Sequence, residues 1–266
     1  CAYFRDDRDS LDTAQLQKID HILGKLMLKP GERLLDIGCG WGALVMRAAA
    51  HYGAKTTGIT LSKNQLAYAR ERIKAAGLED RCRVELCDFR DAGALGRFDK
   101  IASVGMFEHV GLKNLHTYFK GIHDALNEGG LVLNHGITAS DPASRWTGLG
   151  AGAFIDRYVF PDGELPHISL VLREMAEAGF EAADVESLRR HYARTCDAWS
   201  TRLDENAQSA LQFAGERRLR IWQIYLAGCA HAFNHGWMNI YQVLARRAID
   251  GARNTLPFTR DYMYRN

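Results

Sequence analysis

A short apolar run, Leu34-Leu35-Asp36-Ile37, leads directly into Gly38-Cys39-Gly40-Trp41-Gly42, and this is the sharpest chemical signal in the chain. Residues without a Cβ let a backbone approach a ligand closely where a strand ends and a helix begins. A dinucleotide's pyrophosphate is one ligand for such a turn. Here the spacing is GxGxG and an acid, Asp36, stands immediately before it. An anionic side chain repels a pyrophosphate and can meet the ammonium group of an amino-acid ligand. The combination favours S-adenosylmethionine over a nicotinamide dinucleotide, with a ligand-free strand–helix turn as the plainer alternative.

Further along, Thr60-Leu61-Ser62-Lys63-Asn64-Gln65 stands where nucleotide folds usually offer an acid to ribose hydroxyls. Thr60 and Gln65 are uncharged hydrogen-bonding groups for those hydroxyls, and Ser62 is either a contact or the cap of a helix starting at Lys63. Asp88-Phe89 offers an acceptor for an adenine amino group and a ring beside the base, unless Asp88 is a turn or cap residue. Glu108 and His135 lie just beyond the fourth and fifth strand candidates, at the edge where open α/β sheets bind ligands. Each alone is also compatible with a structural role.

The elements that must position these residues follow from periodicity. Strands are expected at Leu34–Ile37, Thr56–Thr60, Arg83–Leu86, Ile101–Val104 and, after an Asn-Glu-Gly-Gly turn, Leu131–Leu133. Helices are expected at Trp41–Tyr52, Lys63–Ala76 with Gly77 as its stop, and Asn114–Leu126. Strands separated by single helices imply an α/β fold with a mainly parallel, doubly wound sheet. Residues 138–166, with Gly148, Gly150, Gly152 and many aromatics, are expected as loop and short helix over the sheet's carboxyl edge. Leu170–Ala178 reads as helix, Ala183–Ser187 as strand, and Asp197 to about Ala230 as helix. Trp237–Leu244 fits helix or strand, and its place after an αβ series favours a final strand.

Composition bounds the rest. A chain of 266 residues with 47% hydrophobic and 25% charged residues suits one large domain. A net charge of +2 argues against nucleic acid as a partner. Cys1, Cys39, Cys82, Cys87, Cys196 and Cys229 form no CxxC pair or zinc-type spacing, so no metal is expected. Several lie in apolar segments as small hydrophobes, which suits a reducing, cytoplasmic setting. No apolar run reaches the roughly 18 residues of a spanning helix, and no signal peptide is read. The first residue is Cys rather than Met, so something upstream is expected.

These segments, with several others, resemble the cyclopropane fatty acid synthase family, including the mycolic acid cyclopropane synthases. The resemblance runs over Cys1-Ala2-Tyr3-Phe4, the Leu34–Gly42 segment, Gly58–Gln65 and Gly105-Met106-Phe107-Glu108-His109-Val110-Gly111. It continues through His135–Thr138, Tyr158–Gly163, Tyr192–Thr195 and Leu256–Tyr264. The glycine motif fits any methyltransferase of this fold; the Phe-Glu-His-Val-Gly and Tyr-Val-Phe-Pro segments are far more specific. The resemblance implies a Rossmann-like class I methyltransferase: one catalytic domain, residues 1–266, with a seven-stranded sheet. A helical cap, formed by insertions at about 138–166 and 197–235, covers an acyl channel. It also implies cofactor contacts at Gly38, Gly40, Thr60, Gln65, Asp88 and Phe89, and an N-terminal domain preceding Cys1 in longer relatives.

The implied reaction is cyclopropanation of an unsaturated phospholipid acyl chain by a peripherally membrane-associated enzyme; a homodimer is compatible with it. An isolated alkene is a poor nucleophile, so methyl transfer leaves a carbocation that must be kept dry and then lose a proton. In the resembling family a bicarbonate ion is the base, and the positions that hold it map to the Cys1 backbone, Glu108, His135, the Ile137 backbone and Tyr192. His109 is a supporting candidate. Phe154, Tyr158, Phe160, Trp199, Trp222, Tyr225 and Phe233 are candidates for the channel wall, and Arg217, Arg218 and Arg220 for anionic headgroups, against ordinary packing and a solvated face. Asp162 and His167 are unexpectedly polar for their loop. The rival readings are methyl branching of a lipid, action on an isoprenoid or other small molecule, a dinucleotide oxidoreductase, and a silent lipid-binding protein.

Overall fold

Adjacent residues of a central strand must both be apolar when helices cover both faces of a sheet, and Leu34-Leu35 meets that condition. In the computed structural model, which describes residues 1–143, 151–161, 163–248, 254 and 256–264, these two neighbours enter opposite cores. The chain runs α1 (Leu11–Lys25), β1 (Arg33–Ile37), α2 (Ala43–Tyr52), β2 (Lys55–Thr60), α3 (Lys63–Ala75), β3 (Cys82–Leu86), β4 (Phe98–Val104), α4 (Leu115–Ala125) and β5 (Leu126–Ala139). It continues as α5 (Ala151–Tyr158), α6 (Ile168–Glu177), β6 (Phe180–Ser187), α7 (Arg189–Glu205), α8 (Ala207–Asn234) and β7 (Met238–Arg247). The seven strands form one sheet in the order β3-β2-β1-β4-β5-β7-β6. Pairing is parallel from β3 to β5, and β7 runs antiparallel to both its neighbours.

The expected α/β architecture is therefore present, and particular elements refine it. The Asn127–Gly130 turn is instead the irregular first part of β5, where pairing with β4 shifts register and Gly129 takes φ 69°. Trp237–Leu244 resolves as strand: Val243, Leu244 and Ala245 are buried between β5 and β6. The helical stretch begins earlier than Asp197, at Arg189, which places Tyr192 on α7; α8 bends at Gly215, where φ is 78°. Gly148, Gly150 and Asp162 lie outside the described residues, while His167 proves to be the N-cap of α6, its ring accepting from the Ser169 amide.

Helix α1 is an addition that periodicity alone did not supply. Its buried face contains Ile19, Ile22 and Leu23 but also His21 and Lys25, so the apolar stripe reads as interrupted. Lys25, fully buried, bridges Asp184 at 3.0 Å and Glu186 at 2.6 Å on β6. His21 Nε2 lies 2.7 Å from the same Glu186, and Arg260 pairs with Asp184 at 2.8 Å. The network ties the first helix and the C-terminal segment to the edge strand. Burial alone would raise the Glu186 carboxyl, but the His21 hydrogen bond and the Lys25 charge hold it at about 2, below its ordinary 4.5.

Because the folded value is depressed, this contribution to stability is complete above about pH 4.5 and is lost as pH falls toward 2. Urea denaturation across that window should show a stability slope that Glu186→Gln reduces. Lys25→Met should cost about 3 kcal/mol, the low end for breaking a buried pair, since His21 and Arg260 remain as partners. An unchanged slope in Glu186→Gln would show that the network does not act this way.

Candidate active site

Turns at the carboxyl ends of β1, β2, β3 and β4 enclose a cavity of about 620 Å³. Gly38 and Gly40 form one wall with φ of 77° and 54°, a left-handed backbone that side chains strain to adopt. Beside them stand Thr60, Ser62 and Gln65. The Thr60 hydroxyl donates to Gln65 Oε1 at 2.7 Å, and the Ser62 hydroxyl caps α3 by accepting from the Gln65 amide. Asp88 and Phe89 also line the cavity. Asp88 accepts from the Arg90 amide and pairs with its guanidinium at 2.8 Å, which holds the carboxyl below its usual range. Its capping role is thus real, and any ligand must share the carboxylate with Arg90.

Asp36 is placed differently from the expectation. It is buried but lines neither this cavity nor the next. It lies on the α1 face of β1, beneath the glycine turn, where burial pushes its carboxyl up to about 7 against the pull of Lys18. Asp36 thus stands behind the glycine turn rather than in the wall of either cavity.

A second cavity of about 310 Å³ adjoins the first, and Gly105 and His109 line both. Gly105, with φ 67°, turns the chain off the end of β4 and brings Glu108 and His109 to the cavity wall, while Phe107 enters the core. Most of the wall is apolar, and Phe160, Tyr225 and Phe233 of the expected aromatics contribute to it. Phe154, Tyr158, Trp199 and Trp222 do not. Cys1, Glu108, His135, Ile137 and Tyr192, which are far apart in sequence, come together here.

Two polar atoms in this apolar chamber are buried without a protein partner: Glu108 Oε2 and His135 Nε2. Glu108 Oε1 accepts from the Ile137 amide at 2.7 Å, so that amide serves the cavity through Glu108 rather than facing it free. Burial pushes the Glu108 carboxyl up to about 7, although the Ile137 hydrogen bond pulls the other way. Burial likewise drives His135 well below its ordinary value, leaving a neutral ring, and raises Tyr192 well above its own, leaving a phenol. The Tyr192 ring packs 4.7 Å from that of Phe233. The Cys1 thiol donates to the Ala2 carbonyl at 3.1 Å. The chamber can thus offer donors and a shared proton to a small anion while shielding everything around it from water.

Three contributors escaped sequence reasoning. Gly105 and Met106 sit inside a recognised motif but carry no polar signal; Met106 packs over Gly38, its sulfur 3.3 Å from where a Cβ would stand. Gly136 is the third: an added Cβ would lie 2.3 Å from the Phe107 ring and 2.9 Å from Glu108 Oε2. Elsewhere, His116, Glu174 and Glu177 bring ligand atoms within 4.8 Å of one another, but they line neither cavity and Arg173 already pairs with Glu174. Among the described residues no helix is long and apolar enough to cross a membrane.

Comparison with known proteins agrees with this architecture. Residues 1–243 match the family model described as mycolic acid cyclopropane synthetase. A probable fatty acid methyltransferase of Pseudomonas putida is 53% identical over the whole chain, which spans 67% of that relative. A probable fatty acid methyltransferase of Mycobacterium tuberculosis is 39% identical over 97% of the chain, which spans 59% of it. The solved mycolic acid cyclopropane synthase CmaA1, complexed with SAH and CTAB, superposes with a TM-score of 0.85 at 36% identity, covering 92% of this chain and 88% of that one. Fold and relatives define an S-adenosylmethionine-dependent methyltransferase of class I. The chain belongs to the mycolic acid cyclopropane synthetase family, whose members modify lipids.

Because only glycine fits at position 136, Gly136→Ala should displace Phe107 and Glu108. Overpacking should cost about 1–3 kcal/mol, and misplacing Glu108 should lower turnover on the order of 100-fold. S-adenosylhomocysteine binding, measured by calorimetry, should persist. Full turnover in this variant would mean that the position of Glu108 does not matter.

Proposed function

We propose that this chain closes a cyclopropane ring on a cis double bond of an unsaturated phospholipid acyl chain, using S-adenosylmethionine and a bicarbonate ion. The observation that carries this reading is the pair of buried, partnerless polar atoms, Glu108 Oε2 and His135 Nε2, in an otherwise apolar chamber that adjoins the larger cavity. The donor set suits an anion: a neutral imidazole, a phenol and a carboxyl that holds its proton near pH 7.

When bound, S-adenosylmethionine supplies an electrophilic methyl, and bicarbonate supplies the base that takes up the proton. Gly38 and Gly40 let the backbone close on the donor, and Gln65, its oxygen engaged by Thr60, offers its amide NH2 to the ribose. Ser62 keeps α3 in register by its cap, and Phe89 flanks the base, with Asp88 accepting from it alongside Arg90. Phe160, Tyr225 and Phe233 exclude water from the alkene and turn ring faces toward positive charge as it develops on the acyl chain. His135 and Tyr192 donate to the anion, joined by the Cys1 backbone. Glu108 shares its proton with the anion through Oε2, and Ile137 holds Glu108 in that position. Since a bare carboxylate would repel the anion, Glu108 acts best below about pH 7.

The same reading makes the enzyme cytoplasmic and peripherally membrane-bound, with residues 1–266 as the catalytic domain of a longer protein. An exposed patch supports the membrane-bound part of this reading. Phe213 is 91% exposed on α8, near Leu211, Arg217 and Arg218. Arg217 lies 5.8 Å from the Tyr158 ring, and Trp222, Tyr225 and Phe160 make successive edge contacts from the surface to the chamber. A second reading, methyl branching without ring closure, is favoured by the name of the Pseudomonas putida relative, a probable fatty acid methyltransferase.

Incubation with S-adenosylmethionine and vesicles of unsaturated phospholipid should yield a cyclopropane fatty acid whose formation falls when bicarbonate is depleted. NMR of the product separates a ring from a methyl branch, which mass alone does not. Insensitivity to bicarbonate would remove the ion from the mechanism, and absence of any lipid product would remove the substrate class. Phe213→Asp should weaken sedimentation with anionic vesicles by about tenfold, the loss expected when one aromatic side chain no longer inserts.

A further inference from the structure

His135 faces the chamber through Nε2, and what that edge presents, a donor or a lone pair, is decided at the opposite ring nitrogen. Strand pairing sets Gln242 of β7 directly opposite His135 of β5, and Glu186 of β6 directly opposite Gln242. Directly paired residues project from the same face, so the three form one polar row across three strands. Gln242 is fully buried in the run Ile240-Tyr241-Gln242-Val243-Leu244, where an apolar residue would avoid desolvating an amide. Its Nε2 lies 3.2 Å from His135 Nδ1, and its Oε1 has no protein partner. A buried amide whose side chain bonds only to a ring nitrogen is placed to orient that ring.

The contact itself sets the roles: the atom against Nδ1 is the amide nitrogen, 3.2 Å away, and an amide NH2 donates but has no lone pair to offer. Nδ1 must then accept, and the single proton of the neutral ring stands on Nε2.

We propose that Gln242 is a positioning residue: by donating to Nδ1 it holds His135 in the Nε2–H tautomer, so that the ring presents a donor to the anion in the chamber. The inference rests on the part assigned to His135 in the reaction above. Gln242→Met keeps volume and removes the donor. Gln242→Glu replaces the donor with an acceptor and calls the proton to Nδ1, leaving a lone pair aimed at the anion.

The test is 15N NMR of the full-length protein labelled at histidine, with the His135 signals assigned by their loss in His135→Asn. Wild type should show protonated Nε2 and unprotonated Nδ1, Gln242→Met a mixture, and Gln242→Glu the reverse. Turnover on phospholipid vesicles should fall about 10–100-fold in both variants, as for other residues that orient a working histidine, with KM for the lipid and binding of S-adenosylhomocysteine unchanged. Protonated Nδ1 in wild type, or a tautomer that neither variant alters, overturns the proposal. A tautomer that shifts while turnover holds leaves the orientation standing but overturns the role of His135, and of Gln242 through it, in the reaction. If wild type forms no lipid product, the reading of the substrate fails, and the tautomer measurement alone decides what Gln242 does.

Discussion

The hydrogen bond from the Ile137 amide to Glu108 Oε1 is the contact on which the chamber depends. It joins the turn after β4 to the end of β5, and it forms only because Gly136 leaves room for Phe107 and Glu108 to lie against the strand. With Oε1 engaged, Oε2 is left in an apolar chamber, where burial lifts the carboxyl to about 7. A group that ionises near neutrality, beside a neutral imidazole, can share a proton with an anion that ordinary carboxylates would repel.

The sheet explains why the two cavities adjoin. Parallel strands deliver their following turns to one edge, so the glycine turn after β1, the Thr60–Gln65 segment after β2 and Asp88-Phe89 after β3 converge without being near in sequence. Gly105 lies at the end of β4, beside the centre of the sheet, and lines both cavities. Later elements complete the second chamber: α7 brings Tyr192, α8 brings Tyr225 and Phe233, and β7 returns between β5 and β6 with Gln242 facing His135.

Burying polar groups on this scale needs support from outside the cavities. The Lys25, His21, Glu186 and Asp184 network holds α1 over the strands that carry His135 and Gln242, and closes the C-terminal segment against them through Arg260. Buried ion pairs contribute little net stability over apolar packing, but they are costly to misplace. Shifting α1 along β6 would break these pairs, and β6 carries Glu186, the end of the polar row behind His135.

By itself the sequence determined the alternation of strands and helices, the glycine turn and the caps, because these follow from local periodicity and from backbone preferences a few residues long. Ser62 and Asp88 show the limit of that reading: their capping roles were visible, while their places on a cavity wall needed the sheet. Asp36 shows the same limit: its position before the glycines was visible, while its burial toward α1, within reach of Lys18, was not. Helix α1 was hidden because His21 and Lys25 interrupt its apolar face, and their partners on β6 lie more than 150 residues away. Only the tertiary structure could decide that Gly136 makes room for Phe107, that Ile137 holds Glu108, and that Gln242 meets His135. Each depends on strand register and on side chains from distant elements meeting in a buried space.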